Sequence, residues 1–169
     1  MAAIVGPRSE GDRRSGRRFV ERRVYVRAAP RDVWAALHDA ATARSLFPEL
    51  SMAPPQPSWP AAGSSRAGEI RLGLLRTSVH VESLEARPAS AFRLAIVAAG
   101  FAIEWGWRME PLAGGTRVVH DGSFETTDRW AGVLVRLGRD SIGLHAEEHL
   151  RALKFRAETQ VGAATGPAA

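Results

Sequence analysis

The sequence predicts an α+β fold in which a curved antiparallel sheet is covered by a single long helix. Three observations lead there. Alternating apolar and polar stretches follow one another from Glu69 to Glu125 with only short breaks, a spacing that suits hairpins and leaves no room for parallel crossovers. A long helical pattern free of proline comes after them, and only two short helical segments come before. A sheet with one long helix to cover it is an α+β arrangement.

Each element can be justified in order. Residues 1–16 are rich in Gly, Arg and Ser without periodicity and are expected to form a disordered basic tail. One domain then covers residues 17–158. In it, "RRFVERRVYVRA" (Arg17–Ala28) alternates at Val24 and Val26 against Tyr25 and Arg27, which reads as a strand. Pro30 opens a helix where its missing N–H costs nothing. Val33, Trp34 and Leu37 form the apolar stripe of that helix, which ends near Asp39. A second short helix covers Thr42–Phe47, and Pro48 stops it. The prolines of "MAPPQPSWPAAGSSRAG" cannot serve a central strand, so this is a loop or edge segment. The alternating stretches are Glu69–Leu75, Thr77–Glu85, Ala91–Ala98, Ile103–Glu110 and Thr116–Glu125, separated at Pro88, Gly100 and Gly114-Gly115. The long helix spans about Asp128 to Thr159, and residues 159–169 are expected to be a flexible tail.

Composition narrows the function. The chain has 169 residues, 45% hydrophobic and 24% charged, enough for one real core and too apolar for disorder. It has no cysteine, which excludes disulfides and thiolate metal sites and fits a reducing compartment. The apolar run Leu94–Ile103 is too short to span a bilayer, and "MAAIVG" is too short for a secretory signal, so a cytoplasmic protein is expected. The net charge is +5, but residues 1–27 hold eight arginines and three acids, leaving 15 basic and 15 acidic residues beyond them. A phosphate-tracking groove needs basic residues spread over a folded face. No specific nucleic acid partner is assigned. Contact of the arginine-rich N-terminus with RNA or an anionic membrane surface is the lesser alternative to a solvated tail.

The stretches "AAPRDVWAALHD" (Ala28–Asp39), "GGTRVV" (Gly114–Val119) and "HLRALKFRAE" (His149–Glu158) resemble the START-like helix-grip (SRPBCC) superfamily, and within it the polyketide cyclase/dehydrase and lipid-transport group. The resemblance covers Arg17 to Glu158, and the element order agrees with it. These motifs are structural positions, specific for the fold and weak for function. The resemblance implies a cavity between the sheet and the C-terminal helix. It spans tasks from aromatase/cyclases and hydrophobic-ligand carriers to quinone-binding and ribosome-associated proteins and hormone receptors.

Candidate site residues follow from the alternation. Ile103, Trp105, Trp107 and Met109 share one strand face, opposite Glu104, Arg108 and Glu110, so the apolar row faces inward. Val118, His120 and Phe124 fall in step on the next strand, which turns His120 inward provided no bulge intervenes. Leu94 and Ile96 join the lining from the preceding stretch. Two adjacent indoles on a concave sheet, each with an N–H that wants a partner, suit the wall of a ligand cavity, with plain core as the alternative. On the long helix, His145 and His149 lie about 40° apart and point toward the sheet. Leu134, Gly138 and Ile142 share their sector, with Ser141 at its border.

"HAEEH" (His145–His149) matches the inverted zinc-peptidase pattern H-x-x-E-H. That pattern needs a further acidic ligand well downstream, and only Glu158 follows, so no metal or cofactor is assigned. The reading that joins the sites brings His120 together with His149 or His145 around a hydrophobic ligand. Cyclising a polyketone needs an α-proton removed and the enolate oxygen stabilised, work that a histidine and a nearby donor can do at neutral pH. Related cyclases often supply that donor from an arginine. Arg76, in step with Ile70, Leu72 and Leu74, is the candidate, with a solvated turn residue as the alternative. His80 is expected outside, and His38 ends a helix where a positive charge would favour the dipole.

The expected function is binding of a hydrophobic, polyketide- or lipid-like molecule in a cavity between the sheet and the C-terminal helix, in the manner of polyketide cyclase/dehydrases. The alternatives are a non-catalytic lipid or quinone carrier, or a regulatory partner acting through the basic tail.

Overall fold

Strands β1 (Arg18–Val26), β2 (Leu50–Met52), β3 (Ser65–Leu72), β4 (Leu75–Arg87), β5 (Ala91–Ala98), β6 (Phe101–Leu112) and β7 (Gly115–Thr126) form one sheet in the computed structural model, which describes residues 18–55, 57–72, 75–126 and 141–164. Helices α1 (Pro30–His38) and α2 (Ala40–Leu46) stand between β1 and β2, and α3 (Ser141–Ala164) follows β7. The strand order is β1-β7-β6-β5-β4-β3-β2, with every neighbouring pair antiparallel. This is the α+β helix-grip arrangement expected from the sequence. Because β1 and β2 are opposite edges, α1 and α2 carry the chain from one side of the sheet to the other.

Asp39 sets the corner of that crossing. It ends α1 in an extended conformation, and its Oδ2 accepts from the backbone N–H groups of Ala41 and Thr42, both at 3.0 Å. One carboxylate thus caps the start of α2 two residues after α1 stops. Between β6 and β7, Gly114 takes a positive φ of 75° in the tight turn, where a side chain would be strained.

Several expected boundaries need correcting, among them the turn between β3 and β4, which falls between Leu72 and Leu75. β3 begins at Ser65, inside the stretch read as loop or edge, because its inward positions there are Arg66 and Gly68 and offer no apolar alternation to read. The C-terminal helix continues to Ala164 rather than stopping at Thr159, and Val161 packs against the core from this extra turn. Expectations for residues 1–16 and for the helix over 128–140 lie outside the described residues.

The inward rows match the predicted alternation. Phe92, Trp107 and His120 stand side by side across β5, β6 and β7, and Leu94, Trp105 and Gly122 form the next row. Glycine at 122 makes the second row possible: a Cβ there would lie 2.1 Å from Cζ3 of the Trp105 indole. The large ring occupies the space a side chain would need, and both tryptophans are almost fully buried.

Replacing Gly122 with alanine is expected to displace the Trp105 ring and to destabilise the fold by about 1–3 kcal/mol, as overpacking of a filled core does. Thermal or urea unfolding checks this, and an unchanged midpoint would show that the ring has room to yield.

Candidate functional site

A pocket of about 870 Å3 opens between α1, α2, β2 and the inner face of β3 to β6. Leu37, Leu46, Phe47, Val81, Phe92, Leu94 and Trp107 give it an apolar interior, and Trp59 from the β2–β3 connection closes one side. Arg44, Glu49, Glu69, Arg71 and Arg76 complete its rim. The volume lies within the roughly 300–1,000 Å3 of small-molecule sites.

The floor is a chain of rings. Trp34 leans on His38 at 4.2 Å between centroids, His38 meets Phe92 edge-on at 4.7 Å, and Phe92 stacks on Trp107 at 5.9 Å. Two polar atoms in this chain are buried and have no partner among the described residues: His38 Nε2 and Trp107 Nε1. Buried polar groups are almost always paired, so these two invite an explanation. The tautomer of His38 is fixed by its other nitrogen. Nδ1 lies 2.9 Å from the Trp34 carbonyl oxygen, which only accepts, so Nδ1 carries the proton and Nε2 presents a bare lone pair. Burial lowers the His38 pKa, keeping the ring neutral and basic at Nε2. Trp107 Nε1–H is a donor and nothing else. One bare acceptor and one free donor thus sit buried on two rings that line the pocket, both packed against Phe92.

The histidines singled out in the sequence do come together, but away from this pocket. His120 Nδ1–H donates to the Gly106 carbonyl at 2.8 Å, which leaves His120 Nε2 as an acceptor. His149 Nδ1 lies 3.0 Å from that atom, and the His149 ring also has the Leu46 backbone carbonyl as a hydrogen-bond partner. His120 is stacked between Trp107 at 4.4 Å and Trp105 at 4.9 Å, and Phe47 and Trp105 meet His149 edge-on. Both imidazoles are buried polar groups satisfied by one another. Burial is the main force lowering their pKa values, to about 4 for His120 and about 3 for His149, with His120 and His145 adding repulsion at His149. They are neutral in the native state near pH 7.

The cavity expected beneath the C-terminal helix also involves residues 128–140, which lie outside the described residues. No described residue of α3 lines the pocket, because aromatic rings fill the ground under His149. Trp107 and Leu94 line this pocket, whereas Trp105, Met109, Val118 and Ile96 are buried in the core and do not line it. Phe124 is half-buried and stacks on Phe101 at 5.9 Å. His145 is half-buried, its ring 6.4 Å from that of His149. Leu134 and Gly138 lie outside the described residues, as do the side chains of Ser141 and Ile142.

Arg76 reaches only the rim, with its side chain 66% exposed and 3.6 Å from Glu69. It pairs with Arg71 in the register, while Ile70 pairs with Thr77, so Arg76 and Ile70 point to opposite faces. The inward arginine is Arg66, opposite Val81. Sequence reasoning passed over Arg66 and also His38, although His38 stands one helical turn after Trp34 on the apolar stripe. That i, i+4 spacing was the available signal.

The sequence profile of the family described as polyketide cyclase / dehydrase and lipid transport matches residues 17–158. The chain belongs to that family. Among solved structures, this cyclase/dehydrase-family protein is similar to the Zhui aromatase/cyclase from Streptomyces sp. R1128, with 19% identity, 89% of this chain and 99% of that chain covered, and a TM-score of 0.68. It is also similar to the protein TTHA0849 from Thermus thermophilus, at 21% identity, 88% and 100% coverage and a TM-score of 0.64. The di-domain ARO/CYC StfQ from the steffimycin biosynthetic pathway shares 13% identity over 86% of this chain and 52% of its own, with a TM-score of 0.66. At such identities the likeness is one of fold. No curated protein matches the family member in sequence.

The neutral histidine pair makes stability depend on pH in a defined direction. Below about pH 6.5 an unfolded chain takes up protons at His120 and His149 that the native state refuses, so stability falls as pH drops toward 4. Each histidine contributes a slope of about 1.4 kcal/mol per pH unit within that window. Urea unfolding between pH 7 and 5 should show this loss, and His149→Gln should flatten it by about one proton. A flat profile in the parent protein would mean that the imidazoles are charged or solvated.

Proposed function

We propose that this protein binds an apolar, ring-bearing ketone of polyketide-like chemistry in the pocket walled by α1, α2, β2 and the sheet, and that His38 handles its protons. The observation that carries the reading is the pair of buried nitrogens without a partner among the described residues, His38 Nε2 and Trp107 Nε1, on two rings that line the apolar interior of the pocket. A ligand carbonyl satisfies the Trp107 donor, and an acidic C–H or O–H next to it satisfies the His38 lone pair.

That pairing is what enolisation needs. His38 Nε2 takes the α-proton, the C–H electron pair moves into the C–C bond, and the carbonyl electrons move onto oxygen, where Trp107 N–H stabilises the charge. Nδ1–H stays on the Trp34 carbonyl throughout and holds the imidazolium in place. The family and its aromatase/cyclase neighbours support this chemistry, because closing an aromatic ring on a polyketone begins with such an enolate. His120 and His149 have a different part: their nitrogens are engaged with each other, and they brace the wall behind Trp107.

N-phenyl-1-naphthylamine, a neutral fluorescent probe, is expected to bind saturably, and Leu94→Trp should weaken it at least about tenfold by filling the pocket. With 2-acetylnaphthalene in D2O, the protein should speed exchange of the methyl protons above buffer, as followed by NMR. His38→Phe should abolish that acceleration while leaving probe affinity within about threefold. Binding without accelerated exchange would reduce the protein to a carrier. Binding indifferent to Leu94→Trp would remove the pocket itself from consideration.

A further inference from the structure

Arg66 is the one basic side chain on the inner face of β3. Its Nε and Nη2 both donate to the Ala53 carbonyl, and its guanidinium carbon lies 5.3 Å from the centre of the Trp59 ring. Both contacts hold the fork from one edge. The other edge, built on Nη1, has no acceptor among the described residues, and no carboxylate stands within ion-pair distance of it there. A guanidinium carries five donors and cannot shed its charge, so Arg66 is an oriented, half-buried cation without a counter-ion among those residues.

The surroundings reinforce that charge. Arg44, exposed on α2 across the opening, makes no ion pair among the described residues. With Arg71 and Arg76, the pocket counts four arginines against Glu49 and Glu69. Beyond Arg27 the chain carries 15 basic and 15 acidic residues, so this excess is local to the pocket and not a background property.

We infer that the pocket selects a ligand carrying a permanent anionic group, a carboxylate in the simplest case, which pairs with the free edge of Arg66 while the apolar body lies on Phe92 and Trp107. The inference rests on the pocket being the binding site and adds the ligand's charge to it. A planar carboxylate matches the planar fork in two parallel hydrogen bonds. The apolar setting beside Trp59 strengthens the pair relative to one in water, and Arg44 draws an anion to the mouth. Such a ligand is amphiphilic: rings or an alkyl body inside, a negative end at the β2–β3 side.

Competition against bound N-phenyl-1-naphthylamine tests this with two molecules of one skeleton, 2-naphthoate and 2-acetylnaphthalene. At pH 7.5 and low salt, 2-naphthoate should bind at least about tenfold tighter, equal to 1.4 kcal/mol. Arg66→Gln should erase that advantage while leaving the neutral probe and ketone within about twofold, and added salt should erode only the naphthoate arm. Should Arg66→Gln fail to fold, the comparison of the two competitors and its salt dependence in the parent protein still decide the matter. Equal affinities for naphthoate and ketone, or a loss in Arg66→Gln shared by both, would overturn the anionic preference. If the fluorescent probe itself does not bind, the pocket reading fails first and the anionic preference falls with it.

Discussion

A hydrogen bond between two neutral imidazoles is the constraint from which the rest of the architecture follows. His120 on β7 and His149 on α3 stand far apart in the chain, and their contact pins the closing helix to the strand beside the β1 edge of the sheet. Gly106, whose carbonyl can only accept, fixes the His120 proton on Nδ1 and leaves Nε2 facing His149. Around this bond Trp105, Trp107 and Phe47 pack ring against ring. Aromatic rings therefore fill the ground around His149, and the described pocket lies toward the opposite edge, where α1, α2 and β2 bridge the sheet.

That displacement gives the two ends of the aromatic chain different work. At the α3 end every ring nitrogen in the His120–His149 contact has a partner, and the group behaves as core. At the α1 end the chain finishes on His38, whose Nδ1 is committed to Trp34 and whose Nε2 is committed to nothing among the described residues. Trp107 belongs to both ends, stacked on His120 behind and on Phe92 in front, with its N–H unpartnered. The same residue braces the core and walls the pocket. Asp39 matters for the same reason, because the corner it caps places His38 at the end of α1 and Leu46 at the end of α2 on one wall.

Most of the fold was legible in the sequence because one period dominated it. From Phe92 to Met109 the inward positions are mostly large and apolar, and the strands fall close to where the alternation puts them. His120 was placed correctly inside on the same evidence. The signal failed where inward positions were not apolar: β3 starts with Arg66 and Gly68, which read as loop. It failed again at Arg76, where counting in twos was carried through the turn between β3 and β4. Leu72 pairs with Leu75 there, so even positions face inward on β3 and odd ones on β4. For the site, periodicity could say that two histidines and two tryptophans point inward, but not which inward space stays empty. That depends on how far α1 and α2 stand from the sheet, a tertiary quantity with no local signature.

Long-range proton–nitrogen correlation spectra of the imidazoles, recorded before and after saturation with 2-acetylnaphthalene, test the central claim most directly. His38 should begin as the tautomer protonated at Nδ1, and its Nε2 resonance should move on binding while those of His120 and His149 stay in place. Movement at His120 or His149 with His38 unaffected would put the ligand under the C-terminal helix and contradict the assignment.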